Sequence, residues 1–188
     1  VDTGAMYRAV SLFCMRNGWM SETHMEVEKI EKNIHKIHLE FKKNVEGKAE
    51  IFLNGENVEH QIRSLEVSNG ASRVSTLKAV RSELVRQQQM MGAGKGIVMD
   101  GRDIGTVVFP EAELKIFLTA SPEIRAKRRM DELMAKGESV VFEEVLANVK
   151  ERDERDQNRK ESPLRKAEDA IIIDNTNLTP GEQQAILN

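Results

Sequence analysis

The chain has 188 residues, enough for one domain with a hydrophobic core. Its 28 Lys and Arg residues are balanced by 31 Asp and Glu residues, and the net charge of −3 argues against a general nucleic-acid-binding surface. Cys14 is the only cysteine, which excludes an internal disulfide and a cysteine-based zinc site. No run approaches the roughly 18 consecutive apolar residues of a membrane span, and no signal peptide is visible. We expect an intracellular, cytoplasmic protein with neither nucleic acid nor membrane as a partner.

Two helices are predicted at the amino-terminal end. The first begins at Asp2 or Thr3, which are N-cap residue types. The second begins near Ser21 or Thr23, because Thr23 and Glu26 fit a capping box. Apolar residues recur at helical spacing after each start: Met6, Val10 and Phe13, then Ile30, Ile34 and Ile37.

Between Ile37 and Val58 the hydrophobic period changes from helical to alternating. Asn54-Gly55 is a tight-turn signal inside this segment. The pattern predicts a small antiparallel β insert, followed by a helical region from Val67 to Met91.

The stretch from Gly96 to Pro110 joins an apolar run to a charged loop. Ile97-Val98-Met99 is too short for a helix and is stopped by Asp100-Gly101, which favours a buried strand. Arg102 and Asp103 follow directly. Ligands of open α/β sheets bind just beyond the carboxyl ends of the strands, so this loop is a candidate site. A surface turn with an ion pair is the alternative.

Strands and helices alternate through the rest of the chain, which argues for an α/β fold with a parallel sheet flanked by helices. The predicted elements are a buried strand at 114–118, a helix from Ser121-Pro122 to Gly137, a helix at 140–159, a buried strand at 170–174 and a last helix with a capping box at Thr179 and Glu182.

The helix at 140–159 changes from apolar to charged along one face. Residues at three- and four-residue spacing share that face: Phe142, Val145, Val149, Arg152, Asp156 and Arg159. Arginine suits phosphate because its guanidinium forks onto two oxygens. The preceding helix carries Arg125, Arg128 and Arg129, and two Arg-rich helices would suit a flap that closes over a polyanion. Solvated helix faces with ion pairs are the alternative for both.

Gly92–Gly96 does not match the P-loop pattern G-x-x-x-x-G-K-[ST]. Gly96 follows Lys95 where Ser or Thr is required, so a flexible connector is favoured. The four histidines form no nucleophile or ligand set, and we assign no metal ligand.

With these pieces in place, the chain strongly resembles bacterial cytidylate kinases over nearly its whole length. The matching motifs are residues 2–8 (Asp-Thr-Gly-Ala-Met-Tyr-Arg), residues 100–110 (Asp-Gly-Arg-Asp-Ile-Gly-Thr-Val-Val-Phe-Pro), residues 150–159 (Lys-Glu-Arg-Asp-Glu-Arg-Asp-Gln-Asn-Arg) and Ser162-Pro163-Leu164.

The resemblance implies a P-loop nucleoside monophosphate kinase fold. It implies a single kinase domain over 1–188, with a CMP-binding insert at 37–66 and a lid region at 122–160. The implied reaction moves the γ-phosphoryl group of ATP to CMP or dCMP with Mg²⁺. A monomer acting on small molecules is expected.

Site residues carried over by position are also implied by the resemblance. Arg8 and Arg102 resemble ligands of the CMP phosphate, with Thr3 and Tyr7 lining the same pocket. The cytosine readers would be Ser72, Arg81 and Asp103, and the ribose contacts would be Arg152 and Asp156. The catalytic residues facing the transferring phosphoryl would be Arg159, Arg128 and Arg129.

The family's P-loop and first strand, which precede the motif at 2–8, have no counterpart in these 188 residues. We therefore expect an amino-terminally truncated kinase domain, preceded in its gene by about 25–35 residues that contain the P-loop pattern. Without that loop the chain is expected to be inactive. A kinase of another nucleoside monophosphate and a non-catalytic nucleotide-binding module are the alternatives.

Overall fold

The computed structural model describes residues 1–135 and 137–187. The chain forms two compact units. The first unit comprises Val1–Phe109 with Lys160–Ser162, and the second comprises Pro110–Arg159 with the chain from Pro163 onward. The single kinase domain over 1–188 stays a prediction.

Helix α1 (Thr3–Arg16) is the central element of the first unit. Its start is confirmed, since the Asp2 carboxylate accepts a hydrogen bond from the Ala5 backbone N–H at 3.0 Å. The helix ends before Gly18, whose φ of +68° favours glycine. Its buried face, which includes Met6 and Val10, packs into the core of the unit.

Helix α2 (Val27–Asn33) begins later than the sequence predicts, and the predicted capping box is wrong. A capping box would require the Thr23 side chain to accept a hydrogen bond from the Glu26 N–H. That N–H instead donates to the Trp19 carbonyl at 2.8 Å. The predicted apolar stripe is confirmed, because Ile30, Ile34 and Ile37 are all buried.

The β insert is confirmed as a three-stranded antiparallel sheet of β1 (Leu39–Lys43), β2 (Ala49–Leu53) and β3 (Glu56–Asn57). The predicted turn joins β2 to β3, with positive φ at both Asn54 and Gly55. Leu39, Ile51 and Leu53 turn inward and join the core.

The predicted helical region at 67–91 is two helices, α3 (Leu65–Val74) and α4 (Lys78–Gly92). Ser64 caps α3 by accepting from the Val67 N–H. Val74 of α3 and Val80 and Leu84 of α4 are fully buried, so both helices are held against α1 by apolar burial.

The buried strand predicted at 97–99 is wrong. Val98 is 85% exposed, and within the described residues the segment's strand pairing is limited to an isolated parallel bridge between Asp2 and Asp100. Backbone hydrogen bonds hold the segment at this bridge: the Asp100 N–H donates to the Val1 carbonyl, and the Asp100 carbonyl accepts from the Thr3 N–H. The apolar run is not buried because no described element covers Val98.

Beyond this bridge, residues 104–108 form a wide helical turn in which the Ile104 carbonyl accepts from the Phe109 N–H at 2.7 Å. The predicted charged loop therefore runs directly into a helical turn.

The second unit contains the parallel pair of the fold, β4 (Ile116–Thr119) with β5 (Ile171–Asp174), in the register Ile116 to Ile171. Helices α5 (Pro122–Ala135) and α6 (Phe142–Asn158) connect the two strands, and α7 (Pro180–Leu187) follows β5. The predicted caps are confirmed at Ser121, which accepts from the Ile124 N–H, and at Thr179 with Glu182.

Both strands exist, but their predicted burial is wrong. Ile116, Leu118, Ile171 and Ile172 are each at least 40% exposed, and Ile173 is the buried member. A parallel strand is buried where helices cover both faces of its sheet, and the described elements leave these four side chains partly uncovered. No described helix is long and apolar enough to cross a membrane.

Candidate active site

The amino-terminal turn of α1 lies against the loop at 100–103. Thr3 donates to the Asp100 carbonyl twice, from its backbone N–H at 3.1 Å and from its hydroxyl at 2.7 Å. Gly101 permits this approach, because a Cβ there would overlap the Thr3 hydroxyl oxygen. The sequence motifs at 2–8 and 100–110 are thus in direct contact.

Arg8 points back along α1 toward its amino-terminal end. Its guanidinium donates to the Asp2 carboxylate at 2.5 Å, and Arg63 from the insert lies 3.8 Å from the same carboxylate oxygen. Asp2 therefore holds one arginine of α1 and one of the insert close together. Phosphate oxygens accept from the same two guanidinium groups as readily as a carboxylate does.

Arg81 and Asp103 form a buried ion pair. Arg81 is 3% exposed and Asp103 is 6% exposed, and one terminal nitrogen of the guanidinium donates to the carboxylate. The other donates to the Ser75 carbonyl at 3.2 Å, and the guanidinium carbon lies 5.5 Å from the centre of the Tyr7 ring. The buried Arg81 Nε has no partner within the described residues.

The remaining residues assigned to the first unit are less enclosed. Ser72 is half-buried on α3, where its carbonyl accepts from the Ser75 hydroxyl. Arg102 is exposed in the loop between Gly101 and Asp103. The structure thus joins Thr3, Tyr7, Arg8, Arg81 and Asp103 through contacts among α1, α4 and the loop.

In the second unit, the charged end of α6 is partly buried. Asp156 is buried, and the Arg159 side chain, 7% exposed, lies 3.5 Å from the Asp156 carboxylate. The backbone carbonyl of Asp156 accepts from the Leu164 N–H at 2.7 Å, which closes the chain back onto the helix. Arg152, one turn earlier, is exposed.

The arginines of α5 differ in their partners. Arg125 forms a two-pronged ion pair with Asp153 of α6, and Arg129 pairs with Glu132 on its own helix. Arg128 donates to the Asn175 side chain at 3.0 Å and to the Asn175 backbone carbonyl at 2.8 Å. Arg125 therefore ties α5 to α6, and Arg128 ties α5 to the end of β5.

Sequence reasoning missed three residues of this region: Asp2, Arg63 and Asp100. Asp2 was assigned only as a helix cap, and no local pattern brings Arg63 to it across 61 positions of sequence. Asp100 preceded the candidate loop without being assigned a role. Desolvation of its carboxyl group, and then the negative charge of Asp2, raise the pKa of Asp100 above its ordinary value.

The cytidylate kinase family model matches residues 1–186. The chain is 56% identical over 188 residues to a cytidylate kinase of Parabacteroides distasonis, covering 100% of this chain and 82% of the relative. It is 59% identical over 186 residues to one of Flavobacterium johnsoniae, covering 98% of this chain and 81% of the relative.

The chain belongs to the cytidylate kinase family. The match runs through both units, so the phosphotransferase class of the protein follows from the whole chain rather than from one motif. The predicted fold class is confirmed: helices flank a parallel strand pair, and a small antiparallel sheet is inserted.

The predicted loss of an amino-terminal P-loop segment gains no support from these relatives. A cytidylate kinase of Bacteroides thetaiotaomicron, 54% identical, is likewise covered over 82% of its length.

Proposed function

We propose that the protein transfers the γ-phosphoryl group of ATP to CMP or dCMP, giving CDP or dCDP and ADP. Membership in the cytidylate kinase family supports this activity. The structural observation that carries the proposal is the buried Arg81–Asp103 pair beside the amino-terminal end of α1. The pair places a buried hydrogen-bond donor, the Arg81 guanidinium, next to a buried acceptor, the Asp103 carboxylate.

The cytosine edge presents one donor, the amine at position 4, and two acceptors, N3 and O2. A carboxylate or hydroxyl accepts from the amine, and an arginine donates to the acceptors. In the proposed site Asp103 and Ser72 serve the amine, and Arg81 serves N3 and O2. The Arg81 Nε has no partner in the part of the chain that the structure describes, which supports this role, because a buried donor without a partner gains most from an incoming acceptor.

The CMP phosphate is proposed to bind Arg8 and Arg102, with Thr3 and Tyr7 lining the pocket. In the structure Arg8 is paired with Asp2, so an incoming phosphate would exchange one anionic partner for another. The insert at 37–66 is the proposed CMP-binding segment, since its Arg63 reaches the same carboxylate.

We propose that the region at 122–160, which belongs to the second unit as far as Arg159, acts as a lid. Arg152 and Asp156 would contact the ribose, and Arg159, Arg128 and Arg129 would serve the transferring phosphoryl group. Phosphoryl transfer needs positioning and charge stabilisation more than a covalent catalyst, which suits a set of arginines.

Mg²⁺ is proposed to accompany ATP, where it would neutralise charge on the phosphates and be held mainly through their oxygens. The carboxylates near the start of α1 do not offer a ready site for it, because Asp2 already accepts from Arg8 and the Ala5 N–H. No group of three or more His, Cys, Asp or Glu side chains among the described residues could hold a metal ion. We propose that the protein is a cytoplasmic monomer and that its only partners are its small-molecule substrates.

The activity is tested by incubating the full-length gene product with ATP and CMP and separating the nucleotides. CDP and ADP are expected in equal amounts. ATP consumption without CDP, or CDP formation that does not need ATP, would contradict the proposal.

The lid assignment is tested with Arg159→Ala. An arginine that meets the migrating phosphoryl acts mainly in the transition state, so kcat should fall by about 10³-fold with little change in KM. Arg155→Ala is the matched control, because Arg155 lies one turn earlier on α6 and pairs on the surface with Glu151. A rise in KM alone for Arg159→Ala would remove Arg159 from the catalytic set.

A further inference from the structure

The Tyr7 ring packs on the Arg81 guanidinium. The guanidinium carbon lies 5.5 Å from the ring centre, within the range at which a cation is attracted to an aromatic face. Tyr7 is partly buried and packs against the core of the first unit, and this packing restricts the orientations that its ring can take.

Three contacts together determine the position of the guanidinium. Asp103 and the Ser75 carbonyl bind its two terminal nitrogens and hold the plane at its edge. These two contacts alone would leave the guanidinium plane free to tilt about the line that joins its two terminal nitrogens. The ring of Tyr7 is the contact that opposes this tilt.

Tyr7 and Arg8 are adjacent in sequence but have different partners. Consecutive helical residues point about 100° apart, and Arg8 reaches Asp2 while Tyr7 reaches Arg81. The ring contact therefore gives Tyr7 a role beside Arg81, in addition to its proposed place near the phosphate ligands.

We infer that Tyr7 is a positioning residue for base choice, which acts by holding the Arg81 guanidinium at the tilt that cytosine requires. The inference rests on the proposed function, in which Arg81 donates to N3 and O2. Loss of the ring face should harm discrimination between bases more than it harms binding of the phosphate that CMP and UMP share.

The test compares the dissociation constants of CMP and UMP by calorimetry, which needs no turnover. Tyr7→Leu removes the ring, and we expect the preference for CMP over UMP to fall by about tenfold. Tyr7→Phe keeps the ring face and should restore the preference. Phe13→Leu is the matched control, because it removes an aromatic ring from α1 that packs on Trp19, away from Arg81.

Each outcome decides the question. An unchanged CMP:UMP ratio in Tyr7→Leu, or an equal fall in Phe13→Leu, would overturn the inference. An equal weakening of both nucleotides would overturn it in favour of a phosphate-pocket role. If Tyr7→Leu does not fold, Tyr7→Met supplies apolar volume without a ring face and has the same expected result. Failure of the proposed function looks different, because the wild-type protein would then show no preference for CMP.

Discussion

The Arg81–Asp103 pair is the residue-scale contact on which the proposed site depends. Removing one partner of a buried ion pair leaves an uncompensated charge in the interior, so Asp103→Ala should lower the free energy of unfolding by about 3–5 kcal/mol. Urea unfolding followed by circular dichroism measures this change.

The control for that variant is Glu40→Ala, which breaks an ion pair with Lys42 whose two side chains are each 51% exposed. A surface pair contributes roughly 0–1 kcal/mol, so Glu40→Ala should unfold almost as the wild type does. Equal losses of unfolding free energy in the two variants would mean that burial does not increase the contribution of the Arg81–Asp103 pair to stability.

Gly101 is the second residue-scale feature, because its missing side chain allows Thr3 to reach the Asp100 carbonyl. Gly101→Ala should displace the loop and lower the free energy of unfolding by about 1–3 kcal/mol, as overpacking does elsewhere. Gly94→Ala is the control, since a Cβ at Gly94 meets nothing within 4 Å. A Gly101→Ala variant as stable as Gly94→Ala would show that the two motifs do not need this close approach.

At the scale of elements, α1 is tied to the insert by Arg16. Hydrogen bonds from Arg16 and then from Gln61 lower the pKa of Glu56 from 4.5 to about 2. A carboxyl whose pKa is lower in the folded state adds stability above its unfolded pKa and loses it as the pH falls toward the folded one. The contribution of this tether should therefore disappear between about pH 4.5 and pH 2.

Arg16→Met tests the tether. The difference in unfolding free energy between wild type and Arg16→Met should shrink as the pH falls through this window. Made in a Glu56→Gln background, the same substitution should have an effect that does not depend on pH. A constant difference between wild type and Arg16→Met from neutral pH to pH 2 would contradict the tether.

The elements that could be predicted from sequence are those governed by local rules. The Asp2 cap, the Asn54-Gly55 turn and the Thr179 cap each need only a few neighbouring residues. The predicted capping box at Thr23–Glu26 failed because the Trp19 carbonyl takes the Glu26 N–H. The predicted buried strand at 97–99 failed because burial depends on elements elsewhere in the chain, and no described element covers Val98.

The positions of the site residues could be predicted less well from local sequence patterns. Periodicity would place Arg81 on a helix surface, although its neighbours Val80 and Leu84 lie on the buried face and hint at its burial. Family resemblance singled it out, and the structure added the contacts with Ser75 and Tyr7 that give it a fixed orientation. Arg63 reaches Asp2 only through the folded insert, so the sequence offered no signal for it.

At the scale of the whole molecule, we propose that the first unit recognises the base and that the second supplies the lid. The protein would phosphorylate cytidine nucleotides because Arg81 and Asp103 match the cytosine edge. Uracil presents an acceptor at position 4 and a donor at N3. UMP would therefore oppose its O4 to the Asp103 carboxylate and its N3–H to Arg81.

The most direct test of this claim is kcat/KM for CMP and for UMP at saturating ATP. Buried hydrogen-bonding groups left opposed or unpaired are penalised heavily, so we predict a preference for CMP of at least about 10²-fold. Asp103→Ala should reduce that ratio by harming CMP and sparing UMP. Equal use of CMP and UMP by the wild-type protein, or an unchanged ratio in Asp103→Ala, would contradict the account.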